Sequence, residues 1–391
     1  MSELLFPAPE RWEVTTLGNV CAAGGGSIQT GPFGSQLHAS DYVSSGTPSV
    51  MPQNIGDNII DEDGIARIRD ADVNRLSRFL LKEGDIVYSR RGDVTRRALI
   101  RREQQGWLCG TGCLRVRIGS EAIPQFVSYY LGHPRVREWI TRHAVGATML
   151  NLNTKILSAL PVILPPRSEQ YAIAGLLGSL DDKIAVNHRI ITGSKDVLQA
   201  LSQSIFIAKS RQVELREIVE LRYGKALKAS DRIPGDIPVF GGNGASGSHY
   251  RALVSGPGII VGRKGANAGS VSWSDSDFWP IDTAFYVIPR NSNMPMEFLY
   301  LLLRTTPLRG EVGDSAIPGL NRDMALSIKV WIPDVEAAMD IAQQAHPHFK
   351  LQEQVEKENR TLAEMRDGLL PKLMSGEVRI RDAEKVVEDA V

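Results

Sequence analysis

The chain has few of the features that mark an enzyme, a secreted protein or a membrane protein. Aromatic residues make up 6% of its 391 residues, and no run approaches the roughly 20 apolar residues that span a bilayer. Met1 to Pro9 carries no basic segment followed by an apolar one, so a cytoplasmic location is expected. Three cysteines, Cys21, Cys109 and Cys113, are an odd number without a second pair at metal-ligand spacing. That disfavours zinc and suits buried thiols in a reducing compartment. The seven histidines show no metal spacing, and His346 and His348, beside Pro347, are expected at the surface. There is no Gly-x-Ser-x-Gly elbow, zinc-protease helix or Asn-Pro-Pro-Tyr methyltransferase motif. Gly262 to Gly269 (GRKGANAG) lacks the Gly-Lys-Ser/Thr ending of a phosphate-binding loop, and no helical pattern follows it. These absences point away from catalysis and from bound cofactors or metals.

Net charge is zero, which argues against a uniformly polybasic nucleic-acid binder. The distribution is uneven, however. From Arg90 to Arg142 there are eleven Arg and no Lys against four acids (Asp93, Glu103, Glu121, Glu138), an excess of seven. From Val335 to the end, twelve acids outnumber eight Lys and Arg. The first stretch is suited to face a polyanion and the second is not. A hydrophobic content of 42% allows real cores, and the length fits two or three domains.

The chain also repeats itself. Leu152-Asn153 matches Leu320-Asn321, and Val162 to Pro165 (VILP) matches Val330 to Pro333 (VWIP), both at an offset of 168. Gly84 to Gly92 (GDIVYSRRG) resembles Gly258 to Gly265 (GIIVGRKG), and Gln125-Phe126 with Leu131 parallels Glu297-Phe298 with Leu303. The shared order of these matches implies duplication, each half being a globular unit followed by a long helix. Asp85–Tyr88, Leu114–Ile118, Gly258–Val261 and Ala284–Ile288 are short apolar runs bounded by turn residues, hence strands. A helix is expected from about Pro124 to Arg142, with a counterpart beginning near Pro295.

The linking segments carry a different period. Ile173, Leu177, Leu180, Ile184, Asn187, Ile191, Ser194, Leu198, Leu201 and Ile205 alternate at 4-3 spacing, and eight of the ten are apolar. This is a coiled-coil seam, opened by Ser168 to Gln170 after Pro165-Pro166, with Asn187 placed to fix register. A second stripe runs Ile341, Gln344, His348, Leu351, Val355, Glu358, Leu362, Met365, Leu369 and is expected to stop at Pro371. Two narrow stripes in one chain suggest that the helices pair, although each docking on its own domain is the alternative. Forty helical residues span roughly 60 Å, enough to hold two similar readers of a duplex at a fixed gap.

Several of these segments resemble one family. Arg11 to Gly18 (RWEVTTLG), Gly31 to Leu37 (GPFGSQL) and Gly84 to Gly92 are similar to the N-terminal half of Type I restriction–modification specificity subunits. Pro165 to Asn187 (PPRSEQYAIAGLLGSLDDKIAVN) resembles that family's central region. Tyr223 to Lys228 (YGKALK), Ile237 to Gly244 (IPVFGGNG) and Arg263-Lys264-Gly265 resemble its second recognition domain, and Leu369 to Ile380 (LLPKLMSGEVRI) its C-terminal region. The resemblance covers nearly the whole chain. It implies an α+β protein with two similar β-rich target-recognition domains, separated by long helices that pair as an antiparallel coiled coil. The expected division is a first recognition domain at 1–167, a helical spacer at 168–210, a second recognition domain at 211–334, a helical region at 335–375 and a tail at 376–391. It further implies a non-catalytic subunit that reads a bipartite, asymmetric double-stranded DNA site. Two methyltransferase subunits would dock on the helices and restriction subunits would join through the complex. S-adenosylmethionine, ATP and magnesium would then belong to those partners.

Candidate DNA contacts are Arg90 and Arg91 before Gly92, Arg263 and Lys264 before Gly265, Ser35 and Gln36 in the first glycine loop, Asn243 in the second, and Lys225 and Lys228. An Arg at a strand end beside Gly approaches a duplex closely enough to hold phosphate or grip guanine. The bland reading is a solvated turn whose Gly and Asn supply positive φ. Candidate partner-binding and coiled-coil residues are the two stripes. Two other classes compete with the binding subunit. A nuclease or methyltransferase fused to recognition domains is disfavoured by the missing cofactor motif. A coiled-coil scaffold with protein-binding domains and no DNA-reading role is disfavoured by the arginine-rich stretch.

Overall fold

The structure, a computed structural model, describes residues 4–33, 36–205, 210–313 and 319–388. Contacts divide the chain into two compact units, residues 1–184 with 361–391 and residues 185–360. Both dividing lines fall inside the long helices Arg167–Ser204 and Val335–Met374, so each helix contributes to both units.

In the first unit a five-stranded sheet has the order Ser27–Thr30, Cys113–Arg117, Ile86–Ser89, Arg97–Leu99, Asp57–Asn58. All four residues of Ile86–Ser89 are buried, as befits a central strand with both faces covered. A smaller sheet joins Tyr42–Val43, Ala66–Ile68, Thr47–Val50 and Leu108–Cys109. The strand Glu13–Thr16 pairs antiparallel with Pro161–Leu164, which leads into the first long helix. The expected helix over 124–142 forms as two, Pro124–Gly132 and Pro134–His143. Pro134 has no N–H and forces His133 out of helical backbone, which splits the segment.

The second unit repeats this plan. Its main sheet has the order Val219–Tyr223, Ala284–Pro289, Gly258–Gly262, Val271–Ser274, and Ser210–Glu214 pairs antiparallel with Lys329–Pro333. The registers correspond residue by residue. Leu114 pairs with Thr30 and Tyr88, while Phe285 pairs with Tyr223 and Val261. Each smaller sheet contains one parallel two-residue pair, Val50↔Cys109 in the first unit and Phe240↔Pro280 in the second. Asn153 and Asn321 each cap a six-residue helix, their carboxamide oxygens accepting backbone N–H groups. The duplication legible in the sequence is therefore a duplication of fold.

Within each unit the long helices run antiparallel. In the first, Asp181 meets Arg366 while Ile173 and Leu177 share a core with Leu369, Leu370 and Leu373. In the second, Asn187 Nδ2 donates to Glu358 Oε2 and Asn359 Oδ1 at 2.9 Å, and Ser194 Oγ donates to His348 O at 3.2 Å. The first stripe is buried at Ile173, Leu177, Leu180, Asn187, Ile191, Ser194, Leu198 and Ile205 and half-buried at Ile184 and Leu201. The second slips in phase. Val355, Leu362 and Leu369 are buried and Met365 half-buried, but Leu351 is 38% exposed and lies off the seam. Ala345, Phe349 and Gln352 take the inward positions there instead, because Phe349 and Ala345 bury more apolar surface than Gln344 and His348 would.

The second helix also runs past its expected stop. Pro371 removes one backbone bond at a cost of about 3 kcal/mol, but Leu373 and Met374 are both 1% exposed. Their burial contributes about 1.5–3 kcal/mol each, enough to carry the helix three residues further. Beyond it, the expected tail at 376–391 contains the helix Ile380–Glu388, whose Ala383 joins the core of the first unit. Its amphipathic spacing of Ile380, Ala383 and Val387 explains the docking. All three cysteines are free and buried, and burial pushes the Cys21 and Cys109 thiols up to about 12. Among the described residues, no helix is long and apolar enough to cross a membrane.

Candidate nucleic-acid interface

In the first unit three segments meet along one edge of the main sheet, the one where its strands end. Gly31 N–H donates to Cys113 O at 2.9 Å, Arg90 N–H to Gly112 O at 2.8 Å, and Leu152 N–H to Arg90 O at 2.8 Å. A Cβ on Gly31 would lie 2.1 Å from Gly110 O, so this crossing admits only glycine. Gly92 turns the chain with φ of 76°. Arg90 is half-buried and its Nε donates to Asn151 Oδ1 at 3.4 Å. Arg91 is exposed and has no side-chain partner among the described residues, its backbone oxygen being held by Ser89 Oγ at 2.8 Å. Gln36 turns inward to its own loop, accepting from Phe33 N–H at 3.2 Å. Ser35 lies outside the described residues. Three exposed apolar side chains were passed over by sequence reasoning, Phe33 in the first glycine loop and Val145 and Met149 in the segment before Asn151, with which both Val145 and Arg91 form backbone bridges. Nothing in their local pattern separates them from ordinary loop residues.

The second unit builds the same edge. Gly224 N–H donates to Ala284 O at 3.1 Å, Arg263 N–H to Thr283 O at 2.9 Å, and Leu320 N–H to Arg263 O at 2.8 Å. A Cβ on Gly224 would meet Ile281 O at 2.2 Å, mirroring Gly31. Lys264 is exposed and shares a cleft of about 250 Å³ with Asn243, Gly265 and Thr283. Lys225 is exposed one residue past Gly224. Lys228 is exposed at the start of the turn Ala229–Asp231, and no contact brings it to the cleft. Arg263 is half-buried, its guanidinium 4.8 Å from the Tyr223 ring centroid and its Nη1 donating to Asp282 O at 2.9 Å. The two pairs of basic residues thus behave alike: the first member is anchored and the second is left in solvent. Tyr223 and Arg322, which completes the cluster over that ring, were not among the expected contacts. The YGKALK segment was the available signal for Tyr223; for Arg322 there was none.

The arginine-rich stretch was expected to suit a polyanion, and most of its arginines have intramolecular partners, some buried and some at the surface. Arg97 and Arg137 hold Asp57 at 2.6 Å, Arg117 grips Asp85, and Arg101 holds Asp182 at 2.8 Å. Arg115 donates to Arg78 O and to Gln29, while Arg135 and Arg142 share Glu138. Burial pushes the Asp57 carboxyl up, but its two guanidiniums hold it down to about 2. The partners Asp57, Asp85 and Asp182 lie outside the Arg90–Arg142 window, so a local charge count could not see them. Of the eleven, only Arg91 and Arg102 lack a side-chain partner among the described residues.

Comparison with known proteins agrees with this architecture. The family described as the Type I restriction modification DNA specificity domain matches residues 9–193 and again residues 209–364. The specificity subunit of the Type I restriction enzyme EcoprrI from Escherichia coli is 28% identical over 142 residues, 34% of each chain. That match therefore spans about a third of the relative's length. The crystal structure of a Type I restriction–modification S subunit from M. genitalium superposes with a TM-score of 0.64 at 18% identity, covering 94% of this chain and 98% of the other. At that identity the likeness establishes the fold.

Proposed function

The chain belongs to the Type I restriction modification DNA specificity domain family, and on that premise we propose that it is the non-catalytic subunit that selects the DNA site. Each unit reads one half of a bipartite, asymmetric double-stranded sequence at its sheet edge. The observation that carries this reading is the duplicated edge itself. Gly31 with Arg90-Arg91 and Gly224 with Arg263-Lys264 occupy corresponding backbone positions and leave one basic side chain in solvent each time. A Gly crossing lets the backbone approach a duplex, and an unpaired cation beside it suits phosphate. Two equivalent edges suit two half-sites.

The long helices supply the docking surface for two methyltransferase subunits, through which restriction subunits join. S-adenosylmethionine, ATP and magnesium are bound by those partners. Zero net charge and the internal pairing of most arginines favour weak DNA binding by the chain alone and tight binding in the complex. The test is methylation mapping across a genome in cells expressing the chain with its methyltransferase, against cells lacking this chain alone. Loss of one bipartite methylated motif is expected. An unchanged methylome with an active methyltransferase defeats the reading and revives the protein-binding scaffold.

A further inference from the structure

The second unit holds a cluster that the first lacks, and it bears on how one half-site is read; the inference rests on the function proposed above. Tyr223 ends its strand and is 50% exposed. Two guanidiniums lie over that ring, Arg263 with Cζ 4.8 Å and Arg322 with Cζ 5.3 Å from the centroid. Arg263 is pinned a second time by Asp282 O. Arg322 reaches the ring from the first turn of the helix that Asn321 caps. Its Nε is buried without a hydrogen-bond partner, the nearest carboxylate being Asp323 at 3.5 Å. In the first unit the register places Thr30 where Tyr223 stands and Thr154 where Arg322 stands, and Arg90 turns to Asn151. Among the described residues no such stack is found there.

Stacking holds a guanidinium in one plane and removes its side-chain freedom before any ligand arrives, which favours a bidentate geometry over a diffuse charge. Charge balance points the same way. Asp323 lies beside Arg322, and Glu220 also interacts with it. Carboxylates there disfavour a phosphate oxygen, whereas a base edge carries no net charge to repel. Lys225 and Lys264, exposed at the same edge without acidic partners among the described residues, suit phosphate instead. We propose that Arg263 and Arg322, aligned on Tyr223, read guanine in the half-site of the second unit by paired N–H donation to O6 and N7, with Lys225 and Lys264 gripping the backbone.

The experiment maps methylated motifs for the full complex carrying Arg322→Lys, Arg263→Lys or Tyr223→Leu, using a plasmid library with both half-sites randomised. Lysine keeps the charge and loses the fork, so preference for guanine at one position of the second half-site should fall about 5- to 150-fold. The first half-site should stay unchanged, which also reports that the complex has assembled. The assignment is overturned if the wild-type second half-site requires no guanine. It is equally overturned if Arg322→Lys leaves every base preference intact, or lowers methylation evenly over all sites, as loss of a phosphate contact would. A wild-type complex that directs no bipartite motif defeats the specificity-subunit reading itself, a result distinct from all of these.

Discussion

In the first unit, polar contacts join the short helix Pro124–Gly132 to the long helices. Asp181 accepts from Tyr129 Oη at 2.6 Å and from Arg366 at 2.7 Å, and Arg366 also takes Asp367. Next to them Asp57 binds Arg97 and Arg137, with Arg97 donating to Ser128 O, around a cavity of only about 30 Å³. In the second unit the residue 168 positions after Asp181 is Phe349. It packs 4.5 Å from Trp273 and 5.3 Å from Tyr300, ring to ring, with no ion pair among them. A duplicated scaffold has thus been closed once with buried polar contacts and once mainly with aromatic burial, flanked by the pairs His346–Glu297 and Lys350–Asp275 at its more exposed margin. The difference teaches that the joint needs a filled, satisfied interface and does not need one chemistry. Buried ions are costly unless every partner is present, whereas ring packing draws on area and tolerates modest shifts.

The largest effect should come from leaving one charge without its mate. Asp181→Ala strands the half-buried Arg366 and the Tyr129 hydroxyl, and should destabilise the first unit by about 3–5 kcal/mol in chemical denaturation. Phe349→Ala should cost the second unit a similar amount, about 3–5 kcal/mol, through a cavity. The comparison is decided by rescue. Asp181→Leu combined with Arg366→Met and Tyr129→Phe should restore most of the stability, since replacing every member of a buried polar group by apolar side chains is often neutral. If the triple variant stays as unstable as Asp181→Ala, the polar joint is doing more than filling space.

Acid should separate the units next. Burial, with Arg135 nearby, lowers the His133 pKa from 6.5 to about 4 while its ring stacks on Phe6 at 4.0 Å. The unfolded state then binds the proton more readily, so the stability contribution is complete above pH 6.5 and is lost as pH falls towards 4. That amounts to on the order of 3 kcal/mol. Asp57, with its pKa lowered to about 2, adds a second loss as pH falls from about 4 towards 2. Hydrogen exchange followed by peptide should show the first unit opening before the second between pH 6.5 and 4. His133→Phe should remove most of that difference, and equal opening of both units would contradict it.

The smallest effect should be shared. Arg91→Gln and Lys264→Gln remove corresponding solvent-exposed cations, so each should leave both half-sites unchanged. Each should reduce the salt dependence of complex binding by about one unit of slope. A changed base preference at either position would mean that the two edges are used differently.

Much of this architecture was legible in the chain. The LN and V-x-x-P matches, read only as signs of duplication, fall on the helix caps Asn153 and Asn321 and on the strands Pro161–Leu164 and Lys329–Pro333. The 4-3 spacing from Ile173 predicted the first seam, since helix period depends on near neighbours alone. The second stripe misled at Leu351 because two registers one residue apart were nearly equal in the sequence, and Phe349 against Trp273 and Tyr300 chose between them. At the candidate interface, Arg90, Arg91, Arg263 and Lys264 were singled out by their strand-end position, and the structure places them there. Which member of each pair is anchored was not, because Asn151 and Asp282 are far off in sequence.

By itself, then, the sequence determined the duplication, the strand and helix types and the seam of the first long helix, all set by periodicity and turn chemistry within a few residues. Only the tertiary structure decided which charges are spent internally. Asp57, Asp85 and Asp182 neutralise arginines 32 to 81 residues away, and a guanidinium held by such a carboxylate is no longer offered to a ligand.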